Sequence, residues 1–357
     1  MLVFLISGRL AAQDSPRLIA EYSAGYSWAH HRYMYPLTGK IVPGFQVAFS
    51  ALPDPRKHAW TRLYNFPEIG ISFLYQDLRH PSLGKIYAAF YRYHFFFTRR
   101  NAPFRWYLQL GNGLAYCTRP YHKISNPKNI IFGSHLLYAF QLSIRFRMRF
   151  RKNPLAMEGG IGLMHFSNGS WKTPNSGLNI PNLGIAFSYG RPLRFSTDSL
   201  PPPPGPERQK STEIYARLGF NEPDVPGMGV RPAYTVGLRR EWHPVYKSAY
   251  FAGAEAMWSL SLKEYLRYEE IAYHRYKGKI PPYQRVALTA GYGMYLGRTV
   301  FWYGAGVYVY NPSRKEKPVY FRLEIRRRLT RRWSAGISLK THFFFAEIID
   351  FGVHYRL

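Results

Sequence analysis

Leu183-Gly-Ile-Ala-Phe-Ser-Tyr189, with its counterpart Phe351-Gly-Val-His-Tyr-Arg-Leu357, decides the fold of this chain. In both stretches a large apolar residue stands at every second position, and mostly small or polar residues stand between them. A period of two indicates a β-strand, because successive side chains of a strand point to opposite faces. Apolar residues on the outside with small or polar residues on the inside are typical of a membrane-spanning barrel. A soluble sandwich also alternates, but it buries the apolar face, and aromatic-rich strand ends fit it less well.

The same alternation recurs along the chain and predicts an all-β fold, an antiparallel outer-membrane β-barrel of about sixteen strands. No run approaches the roughly 18 apolar residues that a membrane-spanning helix needs. The predicted strands are 18–28, 43–51, 69–78, 85–98, 104–117, 133–149, 155–167, 181–190, 213–220, 231–242, 248–261, 284–296, 299–310, 317–329, 333–343 and 348–357.

The two halves of the chain are similar to each other. Tyr107-Leu-Gln-Leu-Gly-Asn-Gly-Leu-Ala-Tyr116 resembles Tyr303-Gly-Ala-Gly-Val-Tyr-Val-Tyr310, which indicates a duplicated unit of about eight strands. We therefore divide the chain into repeats at 13–195 and 213–357, joined by a proline-rich linker at 196–212.

Closure of these strands has two possible forms, one large barrel or two barrels of eight. A single barrel is expected, because only the last strand, ending in Tyr355 and Leu357, resembles the terminal strand by which outer-membrane barrels are recognised for assembly. The linker is expected on the side of the N-terminus, since an even number of strands precedes it.

The chain is strongly basic, with 49 Lys and Arg against 20 Asp and Glu and a net charge of +29. Nucleic acid is not the expected partner, because no recognition motif accompanies the charge. We predict instead that the basic clusters meet anionic lipid head groups or lipopolysaccharide phosphates. The clusters are Arg99-Arg100, 149–152, 326–328 and Arg331-Arg332.

Three smaller features set the background. Residues 1–12 resemble the end of a secretory signal peptide, and further signal residues are expected upstream of Met1. Cys117 is the single cysteine and is expected to be a small apolar residue at a strand end. His30-His31 lacks metal-ligand partners at useful spacing, so a loop or barrel-rim pair is expected and no metal or cofactor is predicted.

The segment from Gly160 to Asn179 carries the candidate chemistry. His165 and Ser167 are two apart on a predicted strand, so they share its outward face. Asn-Gly and Pro-Asn-Ser-Gly follow and predict a turn. With the hairpin centred near Lys172, Asn179 lies opposite His165 on the next strand and also faces outward.

Three polar groups on an apolar face suit nucleophilic ester hydrolysis. A serine hydroxyl reacts poorly until a histidine takes its proton, and a third group must orient that histidine. We assign Ser167 as nucleophile, His165 as base and Asn179 as the orienting residue. Asn168 or the backbone N–H of Gly169 would stabilise the oxyanion.

This hairpin resembles the active site of the PagL family, the lipid A 3-O-deacylases and related acyloxyacyl-hydrolase-like outer-membrane proteins. The resemblance rests on His165-x-Ser167-Asn168 followed by Pro174-Asn-x-Gly177, and it covers the first half, most clearly 155–190. It implies an eight-stranded bacterial outer-membrane barrel and an esterase whose substrate is lipid A or a similar acylated lipid of the outer leaflet.

The sequence departs from that family at one important place. The family has a glutamate where this chain has Asn179, which can orient an imidazole but offers no charge to the imidazolium. Glu158 is no substitute, because it lies seven residues from His165. The second half lacks the motif, with Thr341 and Phe343 at the matching positions and His342 predicted to face the lumen. A non-catalytic barrel, such as a pore, transporter or scaffold with a lapsed hairpin, is therefore the alternative function.

Overall fold

The structure, a computed structural model, describes residues 16–99, 102–150, 153–190, 200, 209–343 and 345–357. These residues form sixteen antiparallel strands in two closed barrels of eight. The predicted fold class is confirmed, and each predicted strand is present to within a few residues at its ends. The expected signal remnant at 1–12 lies outside the described residues.

The elements follow one another in chain order. The first barrel contains β1 Arg17–Tyr26, β2 Ile41–Ala51, β3 Glu68–Asp77, β4 Lys85–Phe96, β5 Phe104–Cys117, β6 Leu136–Arg149, β7 Leu155–Ser167 and β8 Leu178–Tyr189. The second contains β9 Gln209–Asn221, β10 Arg231–Val245, β11 Ser248–Ser259, β12 Gln284–Leu296, β13 Thr299–Tyr310, β14 Val319–Arg328, β15 Trp333–His342 and β16 Phe345–Arg356. The helices are a 3₁₀ turn at Arg32–Met34, α1 Trp60–Leu63 and α2 Leu260–Tyr273.

The expectation of a single sixteen-stranded barrel was wrong. Strand β8 returns to pair with β1, with Leu18 opposite Tyr189, so the first eight strands leave no open edge. Strand β16 pairs with β9 in the same way, with Val353 opposite Ala216. Each repeat satisfies its own edge hydrogen bonds, and a terminal strand that occurs once in the sequence does not prevent the other repeat from closing.

The boundary between the barrels also differs from the prediction. Strand β9 begins at Gln209, so residues 209–212, predicted as linker, pair in the sheet with β10. The rest of the predicted linker, apart from Leu200, lies outside the described residues. The compact units are Met1–Asn168 with Asn175–Pro203, and Gly169–Pro174 with Pro204–Leu357.

The outward faces of the strands are apolar, as the alternation predicted. On β8, Leu183, Ile185, Phe187 and Tyr189 are all more than half exposed, whereas Ala186 between them is 1% exposed. Strand β16 repeats this pattern, with Phe351 and Val353 exposed beside buried Gly352 and His354. An apolar band around a closed barrel is the surface that lipid covers.

The interior of the first barrel is divided along its axis. Towards the end where β7 finishes, the interior is an apolar cluster that includes Met164, Phe166 and Cys117, which is buried at the strand end as predicted. Towards the other end it is ionic: the Arg147 guanidinium lies 2.9 Å from Glu158 and 2.7 Å from Glu68. Burying these charges is costly unless they are paired and hydrogen-bonded, which these are.

The interior of the second barrel is a network of ion pairs. Glu255 is fully buried and accepts hydrogen bonds from Tyr215, Arg217, Tyr320 and Arg322 at 2.5–3.1 Å. The network corrects one prediction: Arg326, assigned to a lipid-binding cluster, is 3% exposed and bonds Glu213 and Glu241 inside the barrel.

The helix α2 was missed by the sequence analysis. It spans Leu260–Tyr273 between β11 and β12, where the predicted strand 248–261 had been extended too far. Ser259 caps it by accepting a hydrogen bond from the backbone N–H of Leu262, and few residues, among them Leu262 and Leu266, are buried. None of the helices in the described part of the chain combines the length and the apolar character that a membrane crossing requires.

The buried network predicts how single carboxylates contribute to stability. Glu255→Ala should lower the free energy of unfolding of the second barrel by about 3–5 kcal/mol, because it leaves buried arginines uncompensated. Asp224→Ala is the matched control, since Asp224 also pairs at 2.7 Å, with Lys315, but is 74% exposed. That control should cost less than about 1 kcal/mol. Urea titrations of the folded protein in lipid would measure both, and equal costs would contradict the interpretation.

Candidate active site

The hairpin of β7 and β8 presents its polar residues because its alternate residues are fixed inside the barrel. Met164 and Phe166 on β7 and Leu178 and Ile180 on β8 all lie in the apolar cluster with at most 1% exposure. A period of two then turns the residues between them to the outer face. His165, Ser167 and Asn179 occupy this face, as the sequence predicted.

These three side chains form one hydrogen-bonded line. His165 pairs with Asn179 across the two strands, in the register expected from the turn. His165 Nδ1 lies 2.7 Å from Asn179 Oδ1, and His165 Nε2 lies 3.1 Å from Ser167 Oγ. Because the amide oxygen can only accept, Nδ1 carries the proton and Nε2 keeps a lone pair that accepts from the Ser167 hydroxyl. The arrangement can therefore deprotonate a serine during nucleophilic attack.

The pair is enclosed on one side by Gly177. Gly177 has a φ of +71°, which favours glycine, and a Cβ there would lie 3.1 Å from His165 Cε1 and 3.3 Å from Ser167 Cβ. Ser167 is 4% exposed although it lies on the outward face. The backbone at Gly177 therefore forms a wall of the site, and a Cβ at this position would press on both side chains.

The two residues assigned to the oxyanion follow Ser167 directly. The backbone N–H of Asn168 already donates to Asn175 Oδ1 at 2.9 Å, and its side-chain amide donates to Ser134 Oγ at 3.1 Å. Because Asn175 already engages the backbone N–H, the side-chain amide is the group of Asn168 that we assign to the oxyanion. Gly169 has a φ of +64° and groups with the second compact unit, and its role stays a prediction.

Two other residues weighed in the sequence have structural roles. Glu158 faces the interior and binds Arg147 and Tyr107, so it is no partner for His165. His342 is buried in the second barrel, 2.8 Å from Glu347, which confirms that it faces the lumen.

The sequence analysis missed the contribution of the loop between β1 and β2. The backbone N–H of Trp28 donates to the carbonyl of Asn179 at 2.9 Å, and His30 Nε2 lies 3.1 Å from the carbonyl of Ser176. His30 and His31 are neighbouring rings in this loop, and the described residues contain no cluster of side chains suited to a metal ion. Trp28 and His30 lie about 150 positions from the hairpin in sequence. They contact it because the barrel closes by pairing β1 with β8, which local sequence patterns do not reveal.

Both barrels match known protein families. Residues 46–188 match the family described as lipid A 3-O-deacylase (PagL), and residues 210–357 match the one described as acyloxyacyl hydrolase, C-terminal domain. None of the curated proteins matches the chain.

Three solved structures illustrate the range of structural likeness. The outer membrane enzyme PagL is 15% identical with a TM-score of 0.34, covering 47% of this chain and 97% of that one. A variant of the Rh. blastica porin is 8% identical with a TM-score of 0.21, covering 96% and 99%. An outer membrane channel from Pseudomonas putida F1 is also 8% identical with a TM-score of 0.21, covering 98% of each chain.

The wall at Gly177 predicts the effect of one methyl group. Gly177→Ala should lower the rate at which a fluorophosphonate labels Ser167 by about tenfold or more, because small displacements of a reacting pair are costly. Gly39→Ala is the matched control: its φ is +81°, but a Cβ there would meet only the Tyr26 hydroxyl at 3.7 Å. Both variants carry the backbone strain of about 1–2 kcal/mol. Equal labelling rates in the two would show that the wall does not position Ser167.

Proposed function

We propose that the first barrel, which matches the family described as lipid A 3-O-deacylase (PagL) over residues 46–188, is a serine esterase that removes an ester-linked acyl chain from lipid A or a similar acylated lipid. The observation that carries the proposal is the line Asn179–His165–Ser167, with contacts of 2.7 and 3.1 Å. The match of residues 46–188 to a lipid A 3-O-deacylase supports the substrate class.

The chemistry follows from the order of the three groups. Ser167 Oγ attacks the acyl carbonyl carbon while its proton passes to His165 Nε2, and Asn179 Oδ1 holds the proton on Nδ1. The tetrahedral intermediate collapses, the sugar oxygen leaves with the proton from His165, and the acyl chain remains on Ser167. Water, deprotonated by His165, then releases the fatty acid and restores the serine.

Stabilisation of the oxyanion is assigned to the residues after the nucleophile. The side-chain amide of Asn168 and the backbone N–H of Gly169 would donate to the oxygen that becomes negative. Such donors typically contribute about 3–4 kcal/mol to the transition state.

The surroundings suit a substrate that stays in the membrane. Ile161 and Leu163 precede the site on β7, and Leu183 follows it on β8. The side chain of Ile161 is 64% exposed and that of Leu183 is 57% exposed. An acyl chain lying along this apolar face would reach Ser167 without leaving the lipid. The alternative of a pore gains no support, because both described interiors are filled by packed apolar or paired charged side chains.

Substituting the nucleophile and the base separately tests the proposed reaction. Ser167→Ala and His165→Ala should each lower ester cleavage by at least about 10³-fold, because the two act as a unit. Mass spectrometry of lipid A from cells that express each variant would show the loss of one acyl chain only with the parent. Heat-modifiable migration on gels should stay intact, since both side chains lie outside the packed interior.

The chain offers a matched control for this pair. Ser125 and His122 also form a serine–histidine hydrogen bond, at 3.0 Å, on the exposed loop between β5 and β6. That histidine nitrogen also accepts two backbone N–H groups, so its lone pair is shared with donors other than the serine. Ser125→Ala and His122→Ala should leave the lipid A product unchanged, and a loss equal to that of Ser167→Ala would contradict the assigned site.

The second functional prediction concerns the orienting residue. Asn179→Glu should keep or raise activity, because a carboxylate beside the imidazolium is stabilising where water is scarce. Asn179→Leu should lower it, since His165 loses the acceptor that fixes its tautomer. If both variants hydrolyse lipid A at the parental rate, Asn179 does not orient His165. If the parent is silent and Asn179→Glu gains activity, the present chain is a lapsed deacylase.

A further inference from the structure

We propose that His30 is a positioning residue for this site, acting on Ser167 and His165 through the backbone of Ser176 and Gly177. The inference rests on the proposed esterase function and adds to it a residue that neither the motif nor the family matches assign. His30 lies in the loop between β1 and β2, far from the hairpin in sequence, and it would not touch the substrate to act.

The wall at Gly177 is in direct contact with the catalytic pair. Gly177 lies so close to His165 and Ser167 that even a Cβ there would press on both side chains. A shift of this backbone by a fraction of an ångström would therefore either press on the pair or open a gap beside it. The position of the Ser176–Gly177 segment thus sets the distance between the base and the nucleophile.

Hydrogen bonds from two loops hold the Ser176–Gly177 segment. The backbone N–H groups of Ser176 and Gly177 donate to the carbonyls of Ile130 and Ile131, each at 3.2 Å. The carbonyl of Ser176 accepts from His30 Nε2 at 3.1 Å. The wall is consequently fixed by two loops of the first barrel, and His30 supplies the side-chain contact from one of them.

The segment that carries Ile130 and Ile131 is itself held by the side-chain amide of Asn129, which does not titrate. Asn129 is fully buried, and its Oδ1 accepts from the backbone N–H groups of Ile131 and Phe132. Its side-chain nitrogen donates to two backbone carbonyls, those of Ser82 and Arg119. The support through Asn129 therefore does not change with pH, whereas the one from His30 can.

The protonation state of His30 follows from its surroundings. Donation from Nε2 leaves Nδ1 as a lone pair, and Nδ1 is buried with no hydrogen-bond partner in the described part of the chain. Burial lowers the pKa of His30 below the ordinary histidine value, and the neighbouring His31 lowers it further. His30 is therefore neutral near pH 7 and gains a proton only as the pH falls.

Protonation of His30 would oppose catalysis. Among the described residues, His31 is its ionisable ring neighbour, with ring centroids 4.8 Å apart, and His165 lies on the other side of the Ser176–Gly177 segment that His30 contacts. Catalysis places a positive charge on His165, which Asn179 cannot neutralise. A second positive charge on His30 would raise the energy of that imidazolium, so activity should fall at low pH through two ionisations rather than one.

The test compares His30→Ala and His30→Gln with the parent, as full chains in mixed micelles containing lipid A. His30→Ala should lower kcat by about tenfold or more, because the wall loses one support. Glutamine can donate its amide to the Ser176 carbonyl and does not titrate, so His30→Gln should recover most of that loss. On the acid side of the pH profile, kcat of His30→Gln should also fall less steeply than that of the parent, and the variant should stay active to lower pH. A merely structural role would not move the pH profile.

The control is His80→Gln, a half-buried histidine in the β3–β4 loop at the same end of the barrel, whose Nδ1 accepts from Ser82. It should match the parent in kcat and in pH profile. Retention of parental kcat and pH profile by both His30 variants would overturn the proposal while leaving the esterase intact. A parent without Ser167-dependent hydrolysis would instead refute the proposed function, so the two failures are distinguishable.

Discussion

The register between β7 and β8 is the constraint on which the site depends. His165 faces Asn179 only because Met164, Phe166, Leu178 and Ile180 are committed to the apolar interior on either side of them. A slip of one residue would turn the polar groups inward and the apolar groups outward. Burial of these four apolar side chains thus fixes the positions of His165, Ser167 and Asn179.

The two faces of each barrel wall solve opposite problems. The outer face must be apolar because lipid offers no hydrogen bonds. The inner face contains charge, and it is tolerated only as paired networks such as Arg147 with Glu68 and Glu158, or Glu255 with its four donors. Much of the chain's basic composition therefore serves the interiors, while part of it lies in the turns.

The site combines a rigid wall with a weak orienting group. Asn179 fixes the tautomer of His165 by a short hydrogen bond but supplies no charge, so the imidazolium depends on its other neighbours more than it would beside a carboxylate. This dependence gives weight to the residues around the pair, namely Gly177 beside it, which belongs to the turn motif, and His30 behind Gly177, which lies outside the motif.

Local pattern determined much of this protein without any coordinates. The strand alternation, the shared face of His165 and Ser167 and the pairing with Asn179 all follow from a period of two and a short turn, which need only neighbouring residues. Tertiary structure alone decided the closure into two barrels, the ion partners of Arg326 and the contact of His30 with Ser176. The helix α2 was not predicted either, because a cap at Ser259 and two buried leucines give little helical periodicity. The physical reason is that edge pairing and interior contacts join residues distant in sequence, and alternation specifies which face a residue takes but not which strand it meets.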